Sequence, residues 1–139
     1  VTYEVMPEMG PDLGIPQDNL RKMIQARDKG LEALETAFRA GCKIASGSDC
    51  LGPMQVYKGR ELEIQARVMG PMAAIVATTR TNAELIRREN DLGTIEAGKL
   101  ADLILVDGDP LKDMTLFEHY QEKMVLILKE GTVIKNLLA

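Results

Sequence analysis

The sequence predicts an α/β chain of two regions: residues 1–90 alternate strand and helix, and residues 91–139 are mostly strand. Three observations carry this reading. Apolar side chains recur at helical spacing between Leu20 and Phe38. That helix gives way through Gly41 to a short run, Lys43–Gly47, closing on Ser48-Asp49, which is the rhythm of a βα unit. Beyond Asn90, short β-rich runs are bracketed by Gly93, Gly98, Gly108 and Pro110.

Val1-Thr2-Tyr3-Glu4-Val5 reads as a short strand, followed by a Pro-, Gly- and Asp-rich loop from Pro7 to Pro16. Asp18 is placed as the N-cap of a helix to about Ala40, with Leu20, Ile24, Leu31, Leu34 and Phe38 as its stripe and Met23 beside them. Gly41 stands where a left-handed terminator costs least. After strand 43–47 a loop covers residues 51–59, and helical pattern resumes over 60–69. Gly70-Pro71 punctuates it, Pro71 suiting the first turn of a helix with Met72, Ile75, Val76 and Thr79 on one face. Thr81-Asn82-Ala83-Glu84 is a capping-box pattern and predicts a further short helix to about Arg88.

In the second region Ala101–Val106 and Met124–Leu128 are expected as strands. Glu130-Gly131 turns the chain into Thr132–Lys135, so the last two strands form a hairpin. One sheet is expected, with Ile104, Val125, Ile127 and Val133 among its packed side chains.

Composition narrows the function. The 139 residues carry 17 basic and 21 acidic side chains without a basic cluster, which argues against nucleic acid as a partner. No apolar run approaches the ~20 residues needed to span a bilayer, and no charged-then-apolar leader is seen, so a cytoplasmic setting without a membrane partner is expected. Cys42 and Cys50 flank one strand and are read as two reduced thiols. Eight Met and no Trp predict soft aliphatic packing.

Asp49 is the first acidic residue after the strand, behind the small residues Ser46, Gly47 and Ser48. Ligands and catalytic groups of parallel α/β folds gather at the C-terminal ends of strands. A carboxylate there could bind a metal, act as a base, or cap the N–H groups of the next segment. His119 is the one histidine, and catalytic zinc needs about three protein ligands, so it is assigned to packing or surface and a complete metal centre is not expected. Gly47-Ser48-Asp49 does not match a nucleophile elbow. Glu61, Glu63, Arg87 and Arg88 read as solvated helix faces, and Asp107-Gly108-Asp109-Pro110 as a turn.

Two stretches resemble a known family. Ala40-Gly41-Cys42-Lys43-Ile44-Ala45-Ser46-Gly47-Ser48-Asp49 is similar to the last barrel strand of the amidohydrolase superfamily. The run from Asn90-Asp91-Leu92-Gly93-Thr94 through Gly98-Lys99-Leu100-Ala101-Asp102 to Asp107-Gly108-Asp109-Pro110-Leu111 resembles that family's return from barrel to β-sandwich. Gly70–Thr78 and Lys129–Val133 resemble the intervening helix start and the closing hairpin. The layout looks most like the branch with imidazolonepropionase and prolidase-type dipeptidases.

The resemblance implies the C-terminal portion of a (β/α)₈ TIM-type barrel over residues 1–90, and strands of a small β-sandwich over 91–139. It implies a hydrolase of amide, cyclic amide or dipeptide-like C–N bonds, with one or two divalent ions, usually zinc. Asp49 alone has a counterpart in the family's site, where it would ligate the metal and move a proton from the attacking water to the leaving nitrogen. The implied partners are a small-molecule substrate and the remainder of the same barrel, expected to lie before Val1; association into homo-oligomers through open sheet edges is the alternative. The rival reading is a non-catalytic structural or interaction module in which Asp49 is vestigial.

Overall fold

Burial decides the first element against its β-propensity. In the computed structural model, which describes residues 1–138, Thr2–Met9 is a helix, α1. Val1, Val5 and Met9 recur at i, i+4 and i+8 and point inward with Met6, a spacing that only a helix places on one face. Five residues were too few to separate this from a strand.

Helix α2 spans Gln17–Arg39, beginning one residue before the expected cap, so that Asp18 lies in the first turn and pairs with Arg21 at 2.8 Å. Its inward side is Leu20, Met23, Leu31 and Leu34, while Ile24 and Phe38 of the expected stripe are more than a third exposed. Gly41 ends it at φ 77°, with Gly41 N–H bonded to Phe38 O and Cys42 N–H to Ala37 O, the paired bonds of a Schellman ending.

The expected strand 43–47 has no strand partner among the described residues. A short 3₁₀ stretch follows at Gly52–Tyr57, then helix α3 at Arg60–Met69. Within α3, Glu61 is not solvated: its side chain is 14% exposed and accepts from Gln65 Nε2 at 2.9 Å. Helical backbone then continues through α4 (Pro71–Val76), a π turn (Ala77–Thr81) and α5 (Asn82–Leu85). Thr81 has ordinary right-handed geometry and makes no side-chain cap, so the capping box is not used. The buried face is Ala74, Ala77 and Ala83 instead of Met72 and Val76, with Ile75 of the expected face packed beside the core. Arg87 terminates α5 in a left-handed conformation, φ 57°, and so is not a helix-face residue.

The C-terminal region forms an antiparallel sheet of β1 (Leu103–Val106), β2 (Met124–Lys129) and β3 (Thr132–Asn136), in that order. Ile104 faces Ile127, and Leu128 faces Val133. Positive φ at both Glu130 (51°) and Gly131 (80°) is what a two-residue hairpin turn with matching twist requires. Val125 and Ile127 are partly buried, but Ile104 is 48% and Val133 56% exposed, contrary to the packing expected for them. Three strands have two faces and too few covering elements. Between β1 and β2 a 3₁₀ turn, Met114–Phe117, and helix α6 (Tyr120–Lys123) interrupt the strand pattern.

Two apolar clusters hold these parts. Met69, Ala74, Ala77, Met114 and Phe117 join α3 and α4 to the C-terminal region. Met6, Leu20, Cys50 and Met54 join α1 and α2 to the residue after Asp49. Four of these nine are methionines, as the soft-packing expectation requires. Cys42 is exposed and Cys50 buried, both as free thiols. No described helix is long and apolar enough to cross a membrane.

The hairpin turn carries a pH dependence. Asp102 accepts from Lys129 Nζ and, at 2.7 Å, from Glu130 N–H, and these bonds hold its carboxyl below the usual range. The same ion pair raises Lys129. A depressed acid stabilises above its unfolded value of about 3.9 and loses that contribution as pH falls through its lower folded value. The raised lysine contributes below about 10.4 and loses its share as pH rises past its folded value. Asp102→Asn is therefore expected to be less stable than the wild type near pH 7, with the gap closing as pH falls below the unfolded value and through the lower folded one, read from urea unfolding across pH. A gap constant with pH would remove the ion pair from the account.

Candidate functional site

Asp49 is placed by what surrounds its backbone. At one end of its segment, the Asn82 side chain accepts from Ser46 N–H at 2.8 Å and donates to Ser46 O at 3.0 Å. At the other end Cys50 is buried in the cluster of Met6, Leu20 and Met54. Between these anchors Asp49 adopts φ 50°, a left-handed conformation that Asp tolerates better than most L residues. Its carbonyl accepts from Thr2 Oγ1 at 2.7 Å, and Ser48 O receives a longer contact from the same hydroxyl at 3.5 Å. The helical form of α1 matters here, because it brings Thr2 beside Asp49.

The Asp49 side chain is exposed and makes no hydrogen bond or ion pair among the described residues. It does not cap a following helix: the 3₁₀ stretch at Gly52–Tyr57 has no side-chain cap. Among the described residues no three His, Cys, Asp or Glu side chains converge. The donors present therefore do not fit a complete metal site; Asp49 offers one carboxylate and Cys50 is turned into the core. His119 is exposed in the turn before α6, bonded through its backbone to Thr115 O at 3.2 Å. Asp109 closes a turn, its carboxylate accepting from Leu111 N–H at 3.0 Å.

Two clefts lie off the Asp49 side chain, the smaller against Ile44, Ala45 and Gly47 of the same segment. One of about 630 Å³ is lined by Arg80, Glu84, Thr94 and Lys99, and one of about 250 Å³ by Arg27, Ile44, Glu61 and Gln65; Asp49 lines neither. Lys99 fills much of its loop's bonding, donating to Glu89 O at 2.7 Å and Thr94 Oγ1 at 2.5 Å. That ammonium is spent on holding the backbone.

Sequence reasoning missed Thr2 and Asn82 as parts of this site. Thr2 had no signal, because its role depends on a helix read as a strand. Asn82 had a weak one: asparagine inside a helix gives up propensity, which suggests that its amide bonds elsewhere.

The chain matches known proteins along most of its length. The sequence model of the amidohydrolase family matches residues 2–137. The crystal structure of a prolidase complexed with N-methylphosphonate-L-proline is 34% identical, at a TM-score of 0.89 over 98% of this chain and 33% of its own. Ochratoxinase of Aspergillus niger is 25% identical over 88% of this chain and 26% of its own length. Imidazolonepropionase of Aromatoleum aromaticum is 51% identical over 41 residues, 30% of this chain and 10% of its own. The chain thus spans about a third or less of the length of each relative.

Proposed function

We propose that this chain, which belongs to the amidohydrolase family, supplies the C-terminal part of an enzyme that hydrolyses the amide C–N bond of a dipeptide-like small molecule, with Asp49 as its proton-transfer residue. The observation that carries the reading is an exposed carboxylate, free of any structural bond among the described residues, on a backbone held at Ser46, Asp49 and Cys50. A capping aspartate spends its oxygens on nearby N–H groups; Asp49 does not.

Residues 1–90 would then be the last βα units of a barrel and 91–139 part of a β-sandwich. Strand 43–47 would find its partners in the preceding segments, and the exposed Ile104 and Val133 would be covered by theirs. In the reaction, the Asp49 carboxylate takes the proton released as water attacks the carbonyl carbon. It returns that proton to the nitrogen as the C–N bond breaks, so the amine leaves neutral. A divalent ion, zinc by the family resemblance, would supply Lewis-acid activation when bound, but its other ligands would have to come from outside this sequence.

The likeness to a prolidase points to dipeptides ending in proline as the first substrates to assay. The full-length enzyme is expected to hydrolyse Xaa-Pro or N-acyl amino-acid substrates in the presence of a divalent metal. The 139-residue chain alone is expected to bind zinc weakly and to show no turnover. Stoichiometric tight zinc binding with hydrolysis by this chain would overturn the assignment of the remaining site to other segments. A full-length protein inactive on every amide tested, with each divalent metal, would favour the non-catalytic reading.

A further inference from the structure

We propose that Asn82 is a positioning residue for Asp49, its side-chain amide clamping both backbone groups of Ser46 on the segment that carries the carboxylate. The inference rests on the catalytic reading of Asp49.

Ser46 exchanges two hydrogen bonds with one side chain: Asn82 Oδ1 takes the Ser46 N–H at 2.8 Å, and Asn82 Nδ2 gives to the Ser46 carbonyl at 3.0 Å. This is the two-point pattern that a paired residue makes across an antiparallel ladder. The two bonds tie this backbone to the helix end that carries Asn82, and Ile44 of the same segment packs against the cluster of Met69, Ala74 and Phe117. Both bonds span 36 residues and are part-buried, which separates them from the neighbouring Lys43–Glu84 ion pair, whose lysine is 81% exposed. An exposed pair of that kind holds little.

The helix is distorted where it delivers this amide. The π turn Ala77–Thr81 ends at Asn82, whose own N–H reaches back to Ala77 O. One extra residue per turn rotates everything beyond it by about 100° relative to an α-helix. Asn82 thereby faces Ser46 while Ala83, next to it, packs where Gly93 approaches its Cβ. A π turn costs regular hydrogen bonding and is frequent at functional sites.

From Ser46 only Gly47 and Ser48 intervene before Asp49. A Cβ built on Gly47 would meet nothing within 4 Å, so this residue brings no side-chain restraint of its own. With Thr2 on the Asp49 carbonyl and Cys50 in the core, the amide is the third fixed point that sets where the carboxylate leaves the chain. A displacement of about 1 Å at a reacting group can cost on the order of 100-fold in rate.

The test uses Asn82→Ala and the isosteric Asn82→Asp in the full-length enzyme, with Asp49→Asn as reference. Asn82→Asp keeps the acceptor for Ser46 N–H but faces the Ser46 carbonyl with a second acceptor. Both variants are expected to lose about 10- to 100-fold in kcat, with KM within about threefold, at a temperature well below their Tm. Hydrogen exchange at the Ser46 amide, slow in the wild type, should become fast in Asn82→Ala. For Asn82→Asp the deficit relative to wild type should shrink as pH falls and the introduced carboxyl regains a proton to donate. If Asn82→Ala does not fold, Asn82→Asp carries the test. Wild-type kcat in a folded variant with lowered Tm overturns the proposal and leaves Asn82 a structural bond alone. If Asp49→Asn is inactive in that same experiment, the catalytic reading survives; if Asp49→Asn keeps wild-type kcat, that reading falls first.

Discussion

Asp49→Asn in the full-length enzyme is expected to fold normally and to lose about 10³-fold or more in kcat. The two halves of this expectation come from separate observations. The fold should be indifferent, because the carboxylate is exposed and bonds to nothing among the described residues. Surface changes of that sort usually stay within about 0.5 kcal/mol. Asparagine also accepts the left-handed backbone at φ 50° as readily as aspartate does, whereas alanine there would add strain and blur the result. Turnover should collapse because an amide cannot take up the proton that the attacking water releases. Paired thermal unfolding and steady-state kinetics read both halves; a variant with wild-type kcat would remove Asp49 from the chemistry.

What was legible in the sequence is what local rules decide. The two long helices announce themselves through spacing, and their ends through Gly41 and Gly70, whose φ values of 77° and 85° few other residues would accept. The hairpin is equally local, since Glu130 and Gly131 need only each other's geometry. What was less legible shares a cause. Residues 1–5 and 43–47 are both short runs, and the state of such a run depends on what lies beside it. The first found a helical neighbour in α2; the second has no strand partner among the described residues. Asn82 stood only as an inner position of the Thr81–Glu84 capping-box pattern; its partner Ser46 is 36 residues away, and no short window over the sequence contains both. The same holds at the site. Asp49 could be proposed from its place after a strand-like run, while the bonds of Thr2 and Asn82 and the burial of Cys50, which hold its backbone, arise only in the tertiary structure.

Gly59→Ala is expected to destabilise the chain by about 3 kcal/mol, although the backbone at this position suits any residue. Gly59 has φ −61°, so no conformational demand selects glycine. The demand is space. A Cβ built there would lie 1.9 Å from Phe117 O, 2.3 Å from Phe117 C and 2.7 Å from Glu118 N. All three are backbone atoms, which cannot step aside as a side chain does. They belong to the turn that inserts Met114, Leu116 and Phe117 into the core, so relief would have to withdraw buried surface. The neighbouring Arg60–Glu118 ion pair, at 2.5 Å and with both side chains 23% exposed, spans the same contact and would separate with it. Gly30 gives the opposite expectation within one experiment. It sits inside α2, and a methyl added there would meet nothing within 4 Å, so Gly30→Ala removes unfolded-state freedom without a clash and should stabilise by about 0.5–1 kcal/mol. Urea unfolding of the two variants beside the wild type measures both signs. If Gly59→Ala unfolds at the wild-type midpoint, the contact between the start of α3 and the Met114–Phe117 turn is not one that holds the two regions together.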